Sequence, residues 1–173
     1  NDILTANPIP GEEEETGDAG DNLDLSKYVA IGNSLTAGFQ DRALYTDGQM
    51  NCFAGMLTER FSVNGVGGGA YGFPDINSVN GYSSEVDGTV LGKLILDLDA
   101  NNDLELGDAE IVAAAGEDNR TTPYSGDLTA LTNFGVPGIV LGQLRSTDVG
   151  NIANTAHPYF NPYYFRFASD GGA

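Results

Sequence analysis

The segment Val29-Ala30-Ile31-Gly32-Asn33-Ser34-Leu35-Thr36-Ala37-Gly38 constrains the fold of this chain more than any other stretch. Its first three residues are apolar and two of them are β-branched, which is typical of the end of a buried strand. Gly32 permits a tight exit, and Asn33 and Ser34 are favoured at the start of a helix. The sequence therefore predicts a strand over 27–31 and a short helix that Ser34 opens. In open α/β sheets, ligands and reacting groups collect at such a junction.

A later stretch, Leu131-Thr132-Asn133-Phe134-Gly135-Val136-Pro137-Gly138, has a similar organisation. Gly135 and Pro137 indicate a tight turn. The apolar run that follows predicts a helix over 139–145. Taken by itself, either stretch is also explained by a plain strand–turn–helix joint, in which Ser34 only caps its helix.

Together the two stretches resemble the first two sequence blocks of the SGNH (GDSL-type) hydrolases. The first block, written GDSLTxG in most members, reads GNSLTAG in this chain. The second, N-x-x-x-x-G, runs from Asn133 to Gly138, and the resemblance implies that a strand ends at Asn133. The resemblance implies an α/β, three-layer, flavodoxin-like fold. It also implies a serine ester hydrolase (an esterase, lipase or acetyl esterase) with Ser34 as the nucleophile. In such an enzyme the backbone N–H groups of Gly138 and Ser34 would hold the oxyanion.

Two further blocks of that family, GxND and DxxH, have no full counterpart in the chain. The only histidine, His157, lies in Asn154-Thr155-Ala156-His157-Pro158, where Asn154 replaces the aspartate. An asparagine cannot stabilise an imidazolium as a carboxylate does. We therefore expect residues 27–173 to be the N-terminal part of an SGNH-like domain, whose base lies in the remainder of its own polypeptide. Because proton transfer contributes about 10²–10⁴-fold, this chain alone should be weakly active or inactive.

The formal net charge of the chain is −18, with only seven lysines and arginines. This balance argues against nucleic-acid binding and against a basic membrane-binding patch, since both depend on cations that meet phosphate. The family resemblance implies an ester substrate, on a small molecule, a glycan or a lipid.

Residues 1–26 hold two prolines and the run Glu12-Glu13-Glu14-Glu15, and they predict an acidic flexible tether. The segment resembles the acidic leaders of surface lipoproteins in the Bacteroidetes group of bacteria, although this chain has no lipidation cysteine. The resemblance implies an exported, extracytoplasmic protein, periplasmic or on the outer-membrane or cell surface. Its only membrane contact would be an N-terminal lipid anchor.

Residues 66–130 are expected to form a β-rich insertion between the two blocks. Its most regular part, Thr89 to Leu98, overlaps the start of the acidic stretch DLDANNDLELGD, which runs from Asp97 to Asp108. Oxygen ligands at alternating positions suit calcium, and the candidates are Asp97, Asp99, Asn101, Asp103 and Asp108. A metal-free hairpin that turns at residues 100–103 explains the same residues. A calcium site would favour the alternative function, a non-catalytic surface protein that binds a glycan or a protein partner.

Three other patterns carry structural expectations. Phe53, Met56, Leu57, Arg60 and Phe61 recur at helical spacing and predict an amphipathic helix over 50–61, with Cys52 as a buried, inert thiol. The aromatic run over 159–167 fits a packed core or a carbohydrate platform. Gly65, Gly67 and Ala70 match G-x-G-x-x-A, but no helix signal follows them, so no dinucleotide cofactor is predicted.

Overall fold

The computed structural model describes residues 24–62, 68–98 and 109–168. They form a mixed α/β structure with one parallel and one antiparallel sheet, which confirms the α/β class. The elements, in chain order, are β1 (Ala30–Gly32), α1 (Ser34–Ala37), α2 (Thr46–Met50), α3 (Phe53–Ser62), β2 (Ser84–Val86), β3 (Thr89–Asp97), β4 (Glu110–Ala115), β5 (Asn133–Gly135) and α4 (Pro162–Phe165). Single 3₁₀ turns occur at Leu128–Ala130, Gln143–Arg145 and Ile152–Asn154.

The parallel sheet contains β1 and β5, which bring together the two stretches singled out in the sequence. Both strands are shorter than expected, and β5 begins rather than ends at Asn133. The reason lies in the backbone, because the N–H groups of Thr132 and Asn133 both donate to the Gly72 carbonyl at 2.8 Å. The loop at Gly72 thus occupies the outer side of β5 where a longer ladder would begin.

Helix α3 contacts β1 mainly through small side chains, and most of the predicted stripe is exposed, although the Phe61 ring packs against Tyr28. Met56 is 58% exposed, and Phe53 and Leu57 are also exposed. Small residues lie against the sheet instead, with Cys52 and Ala54 in a cluster with Ala30. The predicted helix over 50–61 is also wrong in its bounds, because α2 ends at Met50 and α3 begins at Phe53. Helical periodicity shows that a helix has an apolar stripe, but it does not show which side chains its tertiary neighbours cover.

The predicted helix over 139–145 is also wrong, since only a 3₁₀ turn forms at Gln143–Arg145. The Gln143 side chain accepts a hydrogen bond from the Val140 N–H at 2.8 Å. The backbone bonds that follow run from the Gln143 N–H to the Val140 carbonyl and from the Ser146 N–H to the Gln143 carbonyl, so they span three residues rather than four. Val140 and Leu141 are exposed.

The antiparallel sheet has the order β2-β3-β4 and lies in the expected β-rich insertion. The β3–β4 register runs as far as Asp97 opposite Glu110, so two strands flank the acidic connection, as the hairpin interpretation requires. The turn itself, at residues 100–103, lies outside the described residues. The sheet docks on the segment after α1, where the Leu94 N–H donates to the Asp41 carbonyl at 2.9 Å.

Two aromatic side chains near the end of the described chain pack against the rest of the molecule. Tyr163 packs against the buried cluster of Ala37, Leu44 and Ile76. The Phe167 ring contacts that of Phe134 on β5 with ring centroids 6.2 Å apart. These contacts favour the core interpretation over a carbohydrate platform.

The buried Arg166 guanidinium donates to the backbone carbonyls of Pro74, Asp75 and Thr122. It thus ties α4 to two loops of the insertion. Among the described residues, no helix has the length and apolar character needed to cross a bilayer.

Candidate functional site

The two predicted motifs lie side by side at one end of the parallel sheet. Ala30 is opposite Asn133, Ile31 opposite Phe134 and Gly32 opposite Gly135. Past the last pair, the Val136 N–H donates to the Gly32 carbonyl at 2.9 Å. The turns that carry Ser34 and Gly138 therefore leave adjacent strands at the same, carboxyl edge, where parallel sheets form their sites.

Ser34 is the first residue of α1 and is half-buried. Asn33 occupies the N-cap position, yet its side chain makes no capping hydrogen bond. The Ser34 hydroxyl makes no hydrogen bond to any other described residue, and neither does its N–H. The hydroxyl therefore does not cap the helix, and its lone pairs and proton have no partner among the described residues.

Gly138 lies in the turn after β5 with φ +73°, a left-handed conformation that side-chain-bearing residues rarely adopt. It is exposed, and a Cβ there would meet only the Asn161 amide nitrogen, at 4.0 Å. The Gly138 N–H donates to no other described residue. An exposed, unbonded backbone donor that a ligand can approach closely is what an oxyanion site requires.

Asn161 is a site residue that sequence reasoning missed. It is buried, and its amide nitrogen donates to the Pro137 carbonyl at 2.9 Å. That carbonyl and the Gly138 N–H belong to one trans peptide, so they point in opposite directions. By holding the Pro137 carbonyl, Asn161 fixes the direction of the Gly138 N–H. The available sequence signal was the Asn161-Pro162 pair, which is typical of a helix start.

Asn133 joins the two motifs from within the core. It is 2% exposed, and its amide nitrogen donates to the Thr36 carbonyl at 2.8 Å and to the Tyr71 hydroxyl at 2.7 Å. Its side-chain oxygen accepts from the Gly135 N–H at 2.8 Å. A single side chain thus connects α1, which carries Ser34, to β5, which leads to Gly138. The sequence placed Asn133 in the motif but gave no reason for it.

Gly135 allows α1 to pack directly on β5. A Cβ at this position would overlap backbone atoms of Thr36 and Ala37. Backbone cannot move aside as a flexible side chain can, so the close approach of α1 to β5 depends on the absence of a side chain.

Cys52 belongs to the same buried network and is 6% exposed. Its sulfur lies 3.0 Å from the Tyr71 hydroxyl, which also donates to the Gln49 carbonyl at 3.0 Å. Burial raises the pKa of Tyr71, with the contact to Cys52 adding to the effect. The thiol is enclosed, as expected, and it contributes to packing and hydrogen bonding.

His157 makes no hydrogen bond with Ser34, and both are among the described residues. Its Nδ1 accepts from the Tyr159 N–H at 3.2 Å. Its Nε2 lies 3.7 Å from an Asp148 carboxylate oxygen, beyond hydrogen-bond distance. The acidic neighbour of the ring is therefore Asp148, and Asn154 supplies no carboxylate.

An apolar groove of about 520 Å³ begins at Gly32 and Asn33 and runs along the outer face of the parallel sheet. We call it the β1 groove. Its lining is almost entirely aliphatic and aromatic and contains no charged side chain. The main contributors are Ile31, Phe134, Val140, Leu141, Leu144 and Phe167.

The candidate calcium site falls mostly outside the described residues. Of its ligands, only Asp97 is described, at the end of β3 and paired in register with Glu110. Asp99, Asn101, Asp103 and Asp108 lie outside. Within 24–62, 68–98 and 109–168, no three acidic, histidine or cysteine side chains cluster in a way that could hold a metal ion.

Comparison with known proteins does not assign this chain to a family. No protein-family model, curated protein or solved structure shows significant similarity to the chain. The resemblance to the SGNH blocks thus rests on the residues of the two motifs and stays a prediction.

Proposed function

We propose that this chain carries the nucleophile and oxyanion side of a serine ester hydrolase of the SGNH type. The observation that supports it most is the parallel pairing of Gly32 with Gly135. This pairing sets the two motif turns next to each other, although they are far apart in the sequence. A plain strand–turn–helix joint explains each motif alone, but it does not require the two to be neighbours.

In the proposed reaction, the Ser34 hydroxyl oxygen attacks the ester carbonyl carbon and forms a tetrahedral intermediate. The Ser34 and Gly138 N–H groups, which have no partner among the described residues, donate to its oxyanion. The serine proton passes to a general base and then to the departing alcohol, leaving an acyl-serine. Water, activated by the same base, hydrolyses the acyl-serine and restores the hydroxyl.

We assign the general base to a residue outside this chain. His157, the only histidine, lies beside Tyr159 and Asp148 and makes no hydrogen bond with Ser34. A serine hydroxyl without a base is a poor nucleophile, so the 173-residue chain alone should hydrolyse esters slowly or not at all. The remainder of the polypeptide is therefore a required partner in this proposal.

The proposed substrates are carboxylic esters on a glycan, a lipid or a small molecule. The proposed export and lipid anchoring depend on residues 1–26, most of which lie outside the described residues. No observation among the described residues favours the alternative of a calcium-stabilised binding protein.

A fluorophosphonate probe tests the assignment of Ser34. The complete gene product should form one covalent adduct, which peptide mass spectrometry places on Ser34. The Ser34→Ala variant should lose it, whereas Ser62→Ala, on the exposed end of α3, should keep it. The 173-residue chain should react about 10²–10⁴-fold more slowly. Labelling that persists in Ser34→Ala would sink the proposal.

A further inference from the structure

The β1 groove adjoins the candidate nucleophile. Gly32 and Asn33, which line it, are the last residues before Ser34. Phe134 and Val136, from the neighbouring strand and its turn, line it as well. A chain attached to an ester group at Ser34 can therefore enter the groove directly. The groove is thus continuous with the candidate site.

The segments that build this part of the molecule carry no charge. Residues 28–40 and 128–144 contain no acidic residue, lysine or arginine, although the whole chain has 25 acidic and seven basic residues. Arg145, the next cation in the sequence, is exposed and does not line the groove. The Arg166 guanidinium is buried against three backbone carbonyls of the insertion. Among the described residues, no cation is therefore placed to neutralise an anionic group in the groove.

The wall of the groove presents hydrocarbon and few hydrogen-bonding groups. Ile31 is 78% exposed and Leu141 is 82% exposed, and Val140 and Leu144, which also line the groove, are exposed as well. A sugar ring in this position would lose water from its hydroxyl groups without gaining partners, which is unfavourable. A hydrocarbon chain would instead cover apolar side chains and remove its own apolar surface from water. The lining therefore favours an aliphatic chain over a glycan.

We propose that the β1 groove binds an uncharged aliphatic chain of the ester substrate, and that esters whose chain ends in an anion are disfavoured. The second part follows from the net charge of −18, which repels anions, and from the lack of a cation among the residues that line the groove. The inference rests on the proposed function, because it requires the ester to react at Ser34. It narrows the substrates from any carboxylic ester to neutral aliphatic esters.

Two series of esters test the proposal with the complete gene product. In the first, one chromogenic alcohol carries acyl chains of increasing length, and in the second, acetate is esterified with alcohols of increasing length. We expect kcat/KM to rise about three- to fourfold per methylene in one series, since each buried methylene adds to binding. The series that rises shows whether the acyl chain or the alcohol chain occupies the groove. Values of kcat/KM that are independent of chain length in both series would overturn the proposal.

A charge introduced at the groove tests its position. Leu141→Lys should raise kcat/KM for an ester whose chain ends in a carboxylate, relative to the neutral ester of equal length, by about two- to fivefold. Val79→Lys is the matched control, because Val79 is 73% exposed and does not line the groove. It makes the same change in net charge and should leave that ratio almost unchanged. Equal shifts in the two variants would assign the preference to net charge alone and remove the role of the groove.

The fluorophosphonate experiment separates this proposal from the proposed function. Labelling of Ser34 together with hydrolysis that is independent of chain length would keep the hydrolase and remove the groove. Labelling that persists in Ser34→Ala would remove the hydrolase assignment and this proposal with it.

Discussion

The Asn161 amide nitrogen donates a hydrogen bond to the Pro137 carbonyl at 2.9 Å, and this bond determines where the Gly138 N–H points. The oxygen of the same side chain accepts from the N–H groups of Tyr163 and Tyr164, at 3.0 Å each, at the start of α4. The Asn161 side chain thus caps the start of α4 and also orients the candidate oxyanion donor. The two roles use different atoms of the amide, so substitutions can separate them.

Asn161→Asp keeps the acceptor for α4 and removes the donor to Pro137. We expect the free energy of unfolding to fall by about 1–3 kcal/mol, because a buried carbonyl loses its partner. We also expect fluorophosphonate labelling of Ser34 to slow by about 10²–10³-fold if Gly138 is an oxyanion donor. Urea unfolding and labelling kinetics of the complete gene product measure the two effects. Asn154→Ala, at an exposed position, should change neither quantity. Unchanged labelling in Asn161→Asp would remove the positioning role.

Gly135→Ala should weaken the contact between α1 and β5. The added methyl group would overlap backbone atoms of Thr36 and Ala37, and overpacking of this kind costs about 1–3 kcal/mol. Urea unfolding of the 173-residue chain measures the change. Gly142→Ala is the matched control, because nothing lies within 4 Å of a Cβ there and its φ of −62° suits alanine. Equal effects of the two substitutions would contradict the close packing described at Gly135.

The stability of the chain should fall at high pH through Tyr163. Burial raises the pKa of Tyr163 to about 12. The charge of Arg120 lowers this pKa and the charge of Asp118 raises it, and both effects are smaller than that of burial. A tyrosine in the unfolded chain ionises near pH ~10. The folded chain therefore retains a proton that the unfolded chain releases, so the stabilisation is complete below about pH 10 and is lost as the pH rises toward 12.

Denaturant unfolding from roughly pH 8 to roughly pH 11.5 tests this expectation, because that range spans the start of tyrosine ionisation. Tyr163→Phe should flatten the alkaline decline, and Tyr159→Phe, at an exposed side chain, should leave it unchanged. Some decline should remain in Tyr163→Phe, because burial also raises the pKa of Tyr71. A decline as steep in Tyr163→Phe as in the unsubstituted chain would assign the effect to other groups.

The local parts of the candidate site could be predicted from the sequence. The apolar run before Gly32 and the turn residues after it predicted the β1–turn–α1 unit, since these signals act over a few neighbouring residues. The run of apolar residues from Thr89 to Leu98 likewise predicted β3, and β4 follows at Glu110–Ala115. Strand and helix bounds were less well predicted, because hydrogen bonds from distant residues, such as those to the Gly72 carbonyl, decide where a ladder begins.

Only the tertiary structure decided how these parts meet. Helical spacing selected Met56 and Leu57 for burial in α3, whereas both are exposed and Ala54 contacts Ala30, because distant elements of the fold decide which side of a helix is covered. The contact of Asn133 with the Thr36 carbonyl spans 97 residues, and nothing local to either residue specifies it. The sequence by itself determined that Ser34 opens a helix after a strand. The parallel pairing of β1 with β5, together with Asn161, determined that an oriented Gly138 N–H lies in the neighbouring turn. A long-range pairing depends on burial and backbone bonds across the whole fold, which no local pattern contains.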